Sequence, residues 1–185
     1  MYGPISPRHL IAAALTLVLS SGLVLSSGAF AAGNHAGGHG ASIGEPGKAS
    51  EAARIIEIVM TDNYYTPERI SIKKGETIRF VVKNDGEFVH EFNIGTAKMH
   101  AKHQEEMTMM FEHGVLEIDK IHRDKMKMKM PNGQTMEHDD PNSVLLESRK
   151  SAEIVWKFSA AARLEFACNI PGHYDAGMVG DIRVR

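Results

Sequence analysis

The 185-residue sequence predicts an all-β fold, a sandwich of short strands that carries one partly helical insertion. From Ala53 onward, apolar and polar residues alternate in short runs, which is the period of a half-buried strand. Turn sequences that contain Asn, Asp or Gly separate the runs and favour hairpin connections, so the sheets should be largely antiparallel. Residues 97–142 depart from this pattern, because residues 97–113 show a helical period and the whole stretch is too long for a structureless loop.

Residues 1–31 predict a secretory signal peptide. Arg8 and His9 precede an apolar run at residues 10–25, and Ala29-Phe30-Ala31 provides a small-x-small cleavage sequence. A transmembrane anchor is the alternative, but the run is short for a span and is interrupted by serine and glycine. We therefore expect an exported protein that has no membrane partner after the signal is cleaved.

Residues 32–52 predict a flexible leader, because they are rich in Gly, Ala and Ser and contain few large apolar side chains. The chain contains 11 methionines and 10 histidines but one cysteine, and thioethers and imidazoles bind copper well. His35 and His39, which lie in this leader, are therefore candidate auxiliary copper ligands. Cleavage after Ala31 has the better small residue at its minus-three position. Cleavage after Ala32 would instead place His35 third in the mature chain, where it and the amino terminus can hold Cu(II) in square-planar geometry.

Residues 53–185 are the predicted domain, with about seven short strands in the even spacing of a β-sandwich. Before the insertion, the inward rows are Ile56, Ile58 and Met60, then Ile70 and Ile72, then Ile78, Phe80 and Val82, then Phe88, His90, Phe92 and Ile94. After it, the inward rows are Ala152, Ile154, Trp156 and Phe158, then Leu164, Phe166, Cys168 and Ile170, then Ile182 and Val184. An imidazole and a thiol therefore each lie in an otherwise apolar row.

The loop after the Cys168 strand concentrates metal-binding chemistry. Cys168, His173 and Met178 offer a thiolate, an imidazole and a thioether there, and the inward His90 supplies a second imidazole. Two His nitrogens and a Cys sulfur with a long axial Met bind both Cu(I) and Cu(II). Each residue taken alone is more often a core residue, but the combination in an exported chain with a single cysteine predicts a copper site.

These residues resemble a known family. The segment at residues 84–90, Asn-Asp-Gly-Glu-Phe-Val-His, followed downstream by Cys168, His173 and Met178, resembles the cupredoxins, the plastocyanin and azurin superfamily. The resemblance implies a Greek-key β-sandwich with type 1 copper near one end. It also implies that the ring edge of His173 reaches the surface and that the Glu91 N–H donates to the Cys168 sulfur.

The match covers roughly residues 53–96 and 143–185, and the insertion between them is a departure from electron-carrier cupredoxins. This insertion and the His-bearing leader resemble the periplasmic copper-tolerance cupredoxins of Gram-negative bacteria. Candidate auxiliary copper ligands on a predicted helix face are Met99, His103, Met107 and Met110. Candidates in a following strand or hairpin are Met126, Met128, Met130, Met136 and His138.

Both groups have a structural alternative. A Met stripe at helical spacing also suits a face that packs on the sandwich, since Met adapts to irregular surfaces. Three Met residues that alternate with Lys also suit a half-buried strand with a solvated Lys face. Copper capture and packing are compatible with each other on the helix.

The leading functional hypothesis is a periplasmic type 1 copper protein in copper tolerance and homeostasis, which binds copper and cycles its oxidation state. The alternative is an electron carrier, which requires a periplasmic redox partner such as a c-type cytochrome or a copper oxidase. A net charge of -2 gives no reason to expect nucleic acid. A multicopper enzyme is not expected, because the sequence contains no His-x-His pair for a trinuclear cluster.

Overall fold

The computed structural model describes residues 43–129, 135–137 and 140–185. The strands in these ranges are β1 Glu45–Pro46, β2 Arg54–Thr61, β3 Tyr64–Thr66, β4 Arg69–Ile72, β5 Thr77–Asn84, β6 His90–Gly95, β7 Lys127–Lys129, β8 Thr135–Glu137, β9 Ser143–Leu146, β10 Ser151–Lys157, β11 Ala162–Ala167 and β12 Val179–Val184. The helix α1 spans Ala97–Glu112, and two short 3-10 helices span Ala49–Glu51 and Arg123–Lys125. None of the described helices is both long and apolar enough to cross a membrane.

The strands form a two-sheet sandwich, which confirms the predicted fold class. One sheet has the order β1-β10-β5-β2-β3 and the other β4-β12-β11-β6-β9, while β7 and β8 pair separately. Most neighbours are antiparallel, as predicted, but β2 pairs with β5 and β4 pairs with β12 in parallel. These parallel pairs arise because strands that neighbour each other in space are connected through the opposite sheet, as in a Greek key.

The core lies between the two sheets and is built from the predicted inward rows. Phe92 of β6 is central to it, with its ring centroid 5.4 Å from those of both Phe80 and Phe166. Tyr65 completes this aromatic cluster and contacts Phe166 edge-on at 5.0 Å. All four side chains are fully buried, which fixes β6 and β11 at the centre of their sheet.

The helix α1 confirms the predicted helical segment and packs on the second sheet. The Thr96 hydroxyl caps it by accepting a hydrogen bond from the Met99 N–H at 3.3 Å. Its buried face carries His100, His103, Met107 and Met110. The helix covers the outer side of β6, because every residue of that strand is buried although only alternate residues face the core.

The predicted Met-containing strand or hairpin corresponds to β7 and β8. These two strands are antiparallel, and their register pairs Met128 with Met136. Met130 and His138 lie outside the described residues, as do His35 and His39 of the leader.

The structure differs from the predicted leader over its described part, residues 43–52. There β1 pairs with β10, and Ile43 is buried with 6% of its surface exposed. The backbone carbonyl of Ile43 accepts a 2.8 Å hydrogen bond from the indole N–H of Trp156. The segment therefore packs on the sandwich already before Ala53. Its sequence gave too weak a signal to predict this packing, because it contains one apolar residue among small ones.

Replacing Ile43 with alanine should lower the free energy of unfolding by about 2 kcal/mol, the low end of the range for a buried aliphatic side chain. Trp156 is the only tryptophan, so its fluorescence reports denaturant unfolding of this region directly. The control is Ile55→Ala on β2, since Ile55 is 58% exposed and its loss should change stability by less than about 0.5 kcal/mol. Equal stability of the two variants would contradict the packing of this segment.

Candidate metal centre

Three segments at one end of the sandwich bring the predicted ligands together. His90 is the first residue of β6, Cys168 follows the last residue of β11, and His173 lies in the loop between β11 and β12. One side-chain ligand atom from each of these residues lies within 4.8 Å of the others. Within the described ranges this is the one group of three or more His, Cys, Asp or Glu residues close enough to hold a metal ion.

The two imidazoles present the same nitrogen to the sulfur. The Cys168 Sγ is 3.4 Å from Nδ1 of His173 and 3.9 Å from Nδ1 of His90, and the two ring centroids are 5.0 Å apart. Cys168 and His90 are fully buried, whereas His173 is half-buried. The ring of His173 is thus the part of the cluster nearest to solvent, as the resemblance implied.

Backbone hydrogen bonds within the β11–β12 loop hold it in a folded-back shape. The His173 N–H donates to the Ile170 carbonyl at 3.0 Å, and the Met178 N–H donates to the His173 carbonyl at 3.0 Å. The Cys168 N–H donates to the Met178 carbonyl at 3.1 Å. These bonds place Met178 directly beside Cys168, with its side chain fully buried at the same end of the core.

Asp62 fixes the orientation of His90 and was not recognised as a site residue from the sequence. Its carboxylate lies 2.9 Å from Nε2 of His90 and also accepts the Glu87 N–H at 3.1 Å. A proton on Nε2 leaves the Nδ1 lone pair directed at the cluster, which is the tautomer a metal ligand needs. In the sequence Asp62 looked like an ordinary turn residue, and only the fold brings it to His90.

The electrostatics of the cluster suit a soft cation. Burial raises the pKa of the Cys168 thiol to about 12. Burial, with the neighbouring His90, lowers the pKa of His173 to about 4, and burial also lowers the pKa of His90 although Asp62 opposes that shift. At neutral pH both imidazoles are therefore uncharged and able to ligate, and a bound copper ion would offset the charge of the thiolate.

The Cys168 sulfur also accepts a hydrogen bond. The backbone N–H of Glu91 donates to Sγ at 3.3 Å, as the resemblance implied. The buried side chains of Glu91 and Asn169 form a polar group behind the cluster together with the half-buried Ser143 of β9. Sequence analysis did not identify these three side chains, because their alternation with apolar residues is equally typical of a solvated strand face.

The candidate auxiliary ligands on α1 occupy packing positions. Met107 and Met110 are fully buried in the core. The ring of His103 lies between two carboxylates, with Nε2 2.9 Å from Glu91 and Nδ1 3.1 Å from Glu106. The structure therefore favours the packing alternative for this helix face.

Met99 and Met126 are half-buried and pack against the edge of the core. Capture of further copper stays a prediction for every auxiliary candidate. Besides those on α1, these are Met126, Met128, Met130, Met136, His138, His35 and His39.

Comparison with known proteins finds relatives that are copper proteins. The cupredoxin-like domain family matches residues 41–111. A copper-resistant cuproprotein, CopI, from Pseudomonas aeruginosa is 46% identical over 185 residues, which covers 97% of this chain and 98% of the relative. The CopI protein of Rubrivivax gelatinosus is 38% identical over 155 residues, 83% of this chain and 80% of the relative.

Solved structures agree on the fold. Auracyanin B superposes with a TM-score of 0.55 at 16% identity, over 77% of this chain and 96% of that protein. Dithionite-reduced auracyanin from Roseiflexus castenholzii superposes with a TM-score of 0.52 at 23% identity, over 72% of this chain and 98% of that protein. At these identities the likeness concerns the fold alone.

Copper uptake should release about one proton per Cu(I) at pH 7, because Cys168 holds a proton in the apoprotein while both imidazoles have already lost theirs. Calorimetric titration in buffers of different ionisation enthalpy measures this number. The affinity of the apoprotein for Cu(I) should rise with pH until the pH reaches the pKa of Cys168, which burial raises to about 12. Release of two protons at pH 7 would show that one imidazole is protonated and would contradict this charge state.

Asp62→Ala should lower copper affinity by about 10–100-fold, because His90 loses the partner that fixes its tautomer and ring orientation. Competition with a chromophoric Cu(I) chelator measures the affinity. The matched control is Asp85→Ala, which removes a neighbouring carboxylate whose partner is Lys83 at 2.9 Å. Equal affinities of the two variants would show that Asp62 has no part in holding His90.

Proposed function

Because this chain belongs to the copper-resistant cuproproteins of the cupredoxin-like family, we propose that it protects the periplasm against excess copper through a type 1 copper centre. The main support for this proposal is the cluster of His90, Cys168 and His173, whose ligand atoms lie within 4.8 Å of one another. Copper is the cofactor that this donor set and this family have in common.

We propose that His90, Cys168 and His173 hold the copper, with Met178 as the weak axial ligand. Copper bound there supplies one-electron chemistry between Cu(I) and Cu(II). Asp62 keeps the Nδ1 lone pair of His90 directed into the site, and the Glu91 N–H donates to Cys168 Sγ. His90, Cys168 and Met178 are fully buried, and His173 is the half-buried member of the four proposed ligands.

We propose in addition that the bound copper cycles between Cu(I) and Cu(II). The ligands come from three chain segments that the sandwich holds rigidly, so a change of oxidation state requires little movement of the protein. His173 is the ligand through which electrons would enter or leave, because it alone of the three lies near the surface. This arrangement suits both the transfer of one electron from captured Cu(I) to a periplasmic redox partner, in copper tolerance, and electron carriage between two such partners.

We prefer copper tolerance over electron carriage because two relatives, matched over 98% and 80% of their lengths, are copper-resistant cuproproteins. We also propose that the chain is not an enzyme. The sequence has no His-x-His pair, and the one three-residue metal cluster among the described residues is the type 1 donor set.

A Pseudomonas aeruginosa strain that lacks its own CopI tests the proposal, because that protein is 46% identical to this chain. Expression of this chain should restore growth at raised copper, and Cys168→Ser should not. The purified chain should bind copper with an intense thiolate-to-copper charge-transfer band in the visible, and Cys168→Ser should lose that band. The serine replaces the sulfur at nearly constant volume, so the variant tests the ligand rather than the packing.

Ala176→Ser is the matched control, because Ala176 is exposed in the same loop and contributes only its backbone to the loop structure. It should keep both the band and the copper tolerance. Full protection by Cys168→Ser would contradict a role for the type 1 centre in tolerance. Normal tolerance of the untransformed strain, together with slower oxidation of a periplasmic cytochrome, would favour electron carriage.

A further inference from the structure

A carboxylate is buried beside the metal centre, although nothing in the proposed copper site requires one. Glu91 follows His90 in β6, and only 1% of its surface is exposed. It points to the opposite face of the strand from His90, into the space between β6 and α1. An ionised carboxylate in such a place costs several kcal/mol unless charged and polar partners surround it.

Each oxygen of Glu91 has such partners. Oε1 accepts the Ser143 hydroxyl at 2.6 Å and lies 2.9 Å from Nε2 of His103. Oε2 accepts the backbone N–H of Asn169 at 3.2 Å and its side-chain N–H at 2.8 Å. The carboxylate therefore joins β6, β9, α1 and the residue that follows Cys168.

His103 is the charged partner of this carboxylate. Its ring lies between Glu91 and Glu106, so each nitrogen faces an acceptor and the imidazolium form is favoured. Both side chains are buried, so the 2.9 Å contact between Nε2 of His103 and Oε1 of Glu91 is shielded from solvent. The two groups form a buried ion pair between α1 and β6.

Two short links connect this ion pair to the predicted ligands. The backbone N–H of Glu91 donates to Cys168 Sγ, and the Asn169 backbone that Glu91 holds is bonded covalently to Cys168. Loss of the Glu91 side-chain contacts would therefore release the Asn169 backbone at the start of the ligand loop and remove a restraint on the strand residue whose N–H reaches the sulfur. A pair of apolar residues could fasten α1 to β6 as well as this ion pair does, so helix attachment alone does not explain the charges.

We propose that His103 is a positioning residue through which helix α1 holds Glu91, the hydrogen bond to Cys168 Sγ and Asn169 in the geometry of the copper centre. The proposal rests on the proposed type 1 site for its copper readouts. It assigns to the insertion a role in setting the spectrum and the reduction potential of the centre, in addition to any copper it captures.

The test compares His103→Gln with the wild type in the full chain. Three quantities are measured: the energy of the charge-transfer band, the reduction potential and the amide hydrogen exchange of the apoprotein at Glu91 and Asn169. His103→Gln should shift the band and the potential and should accelerate exchange at both amides. The exchange measurement needs no copper, so it decides the positioning role even if the chain lacks the proposed copper function.

Lys98→Gln is the matched control. It removes a positive charge from an exposed position of α1 that lies more than one helical turn before His103. Water and salt screen that charge, so band, potential and exchange should equal those of the wild type. A shift as large as that of His103→Gln would show a general charge effect and would overturn the specific role of His103.

A double-mutant cycle tests whether the effect passes through Glu91. Glu91→Gln alone should shift the potential upward, because a negative charge near the metal stabilises Cu(II). In the Glu91→Gln background, the further change His103→Gln should alter the band and the potential much less than it does in the wild type. Additive effects would mean that His103 acts by another route.

A purely structural role would lower the melting temperature of His103→Gln and leave the band, the potential and the two exchange rates unchanged. That result would overturn the proposal. If His103→Gln does not fold, Glu106→Gln is the milder variant, since it weakens the imidazolium from its other side. It should shift the same three quantities in the same direction, and unchanged values would count equally against the proposal.

Discussion

The antiparallel pairing of β6 with β11 sets Ala167 opposite Asn93, and the metal centre depends on that register. Continued past the end of β11, it brings Cys168 and Asn169 beside the start of β6, where His90 and Glu91 lie. A slip of one residue would turn each side chain to the other face of its strand and separate the sulfur from the imidazole. The aromatic contact between Phe92 and Phe166, 5.4 Å between centroids, holds the register from inside the core.

The side chains of β6 alternate between the two faces of the strand, and each face has a different role. His90, Phe92 and Ile94 face the core and the cluster, while Glu91 and Asn93 face the helix α1. The same backbone therefore carries a ligand on one side and an ion pair on the other, one residue apart. Because a strand is stiff over so short a distance, the position of the Glu91 side chain and that of the His90 ring are set together.

The sequence was sufficient to predict the sandwich and the donor set, because both depend on local periodicity and on residue chemistry. His90, Cys168 and Phe166 each fell in an apolar row of period two, which the structure confirms. Asp62 and Asn169 could not be found in this way, since their roles arise from contacts across the fold. Ile43 was missed for a related reason: its partner, Trp156, is more than a hundred residues away in the sequence.

The composition of the insertion did not decide whether its Met and His residues capture copper or pack on the sandwich. Met107 and Met110 were equally compatible with copper capture and with packing, and the structure places both in the core. Once the helix covers β6, an outward Glu91 must be either neutral or paired, and His103 of the same helix supplies the charge. His103, a candidate copper ligand in the sequence, therefore pairs with a carboxylate in the fold, and the proposed action of helix α1 on the copper centre through that pair requires no ligand from the helix.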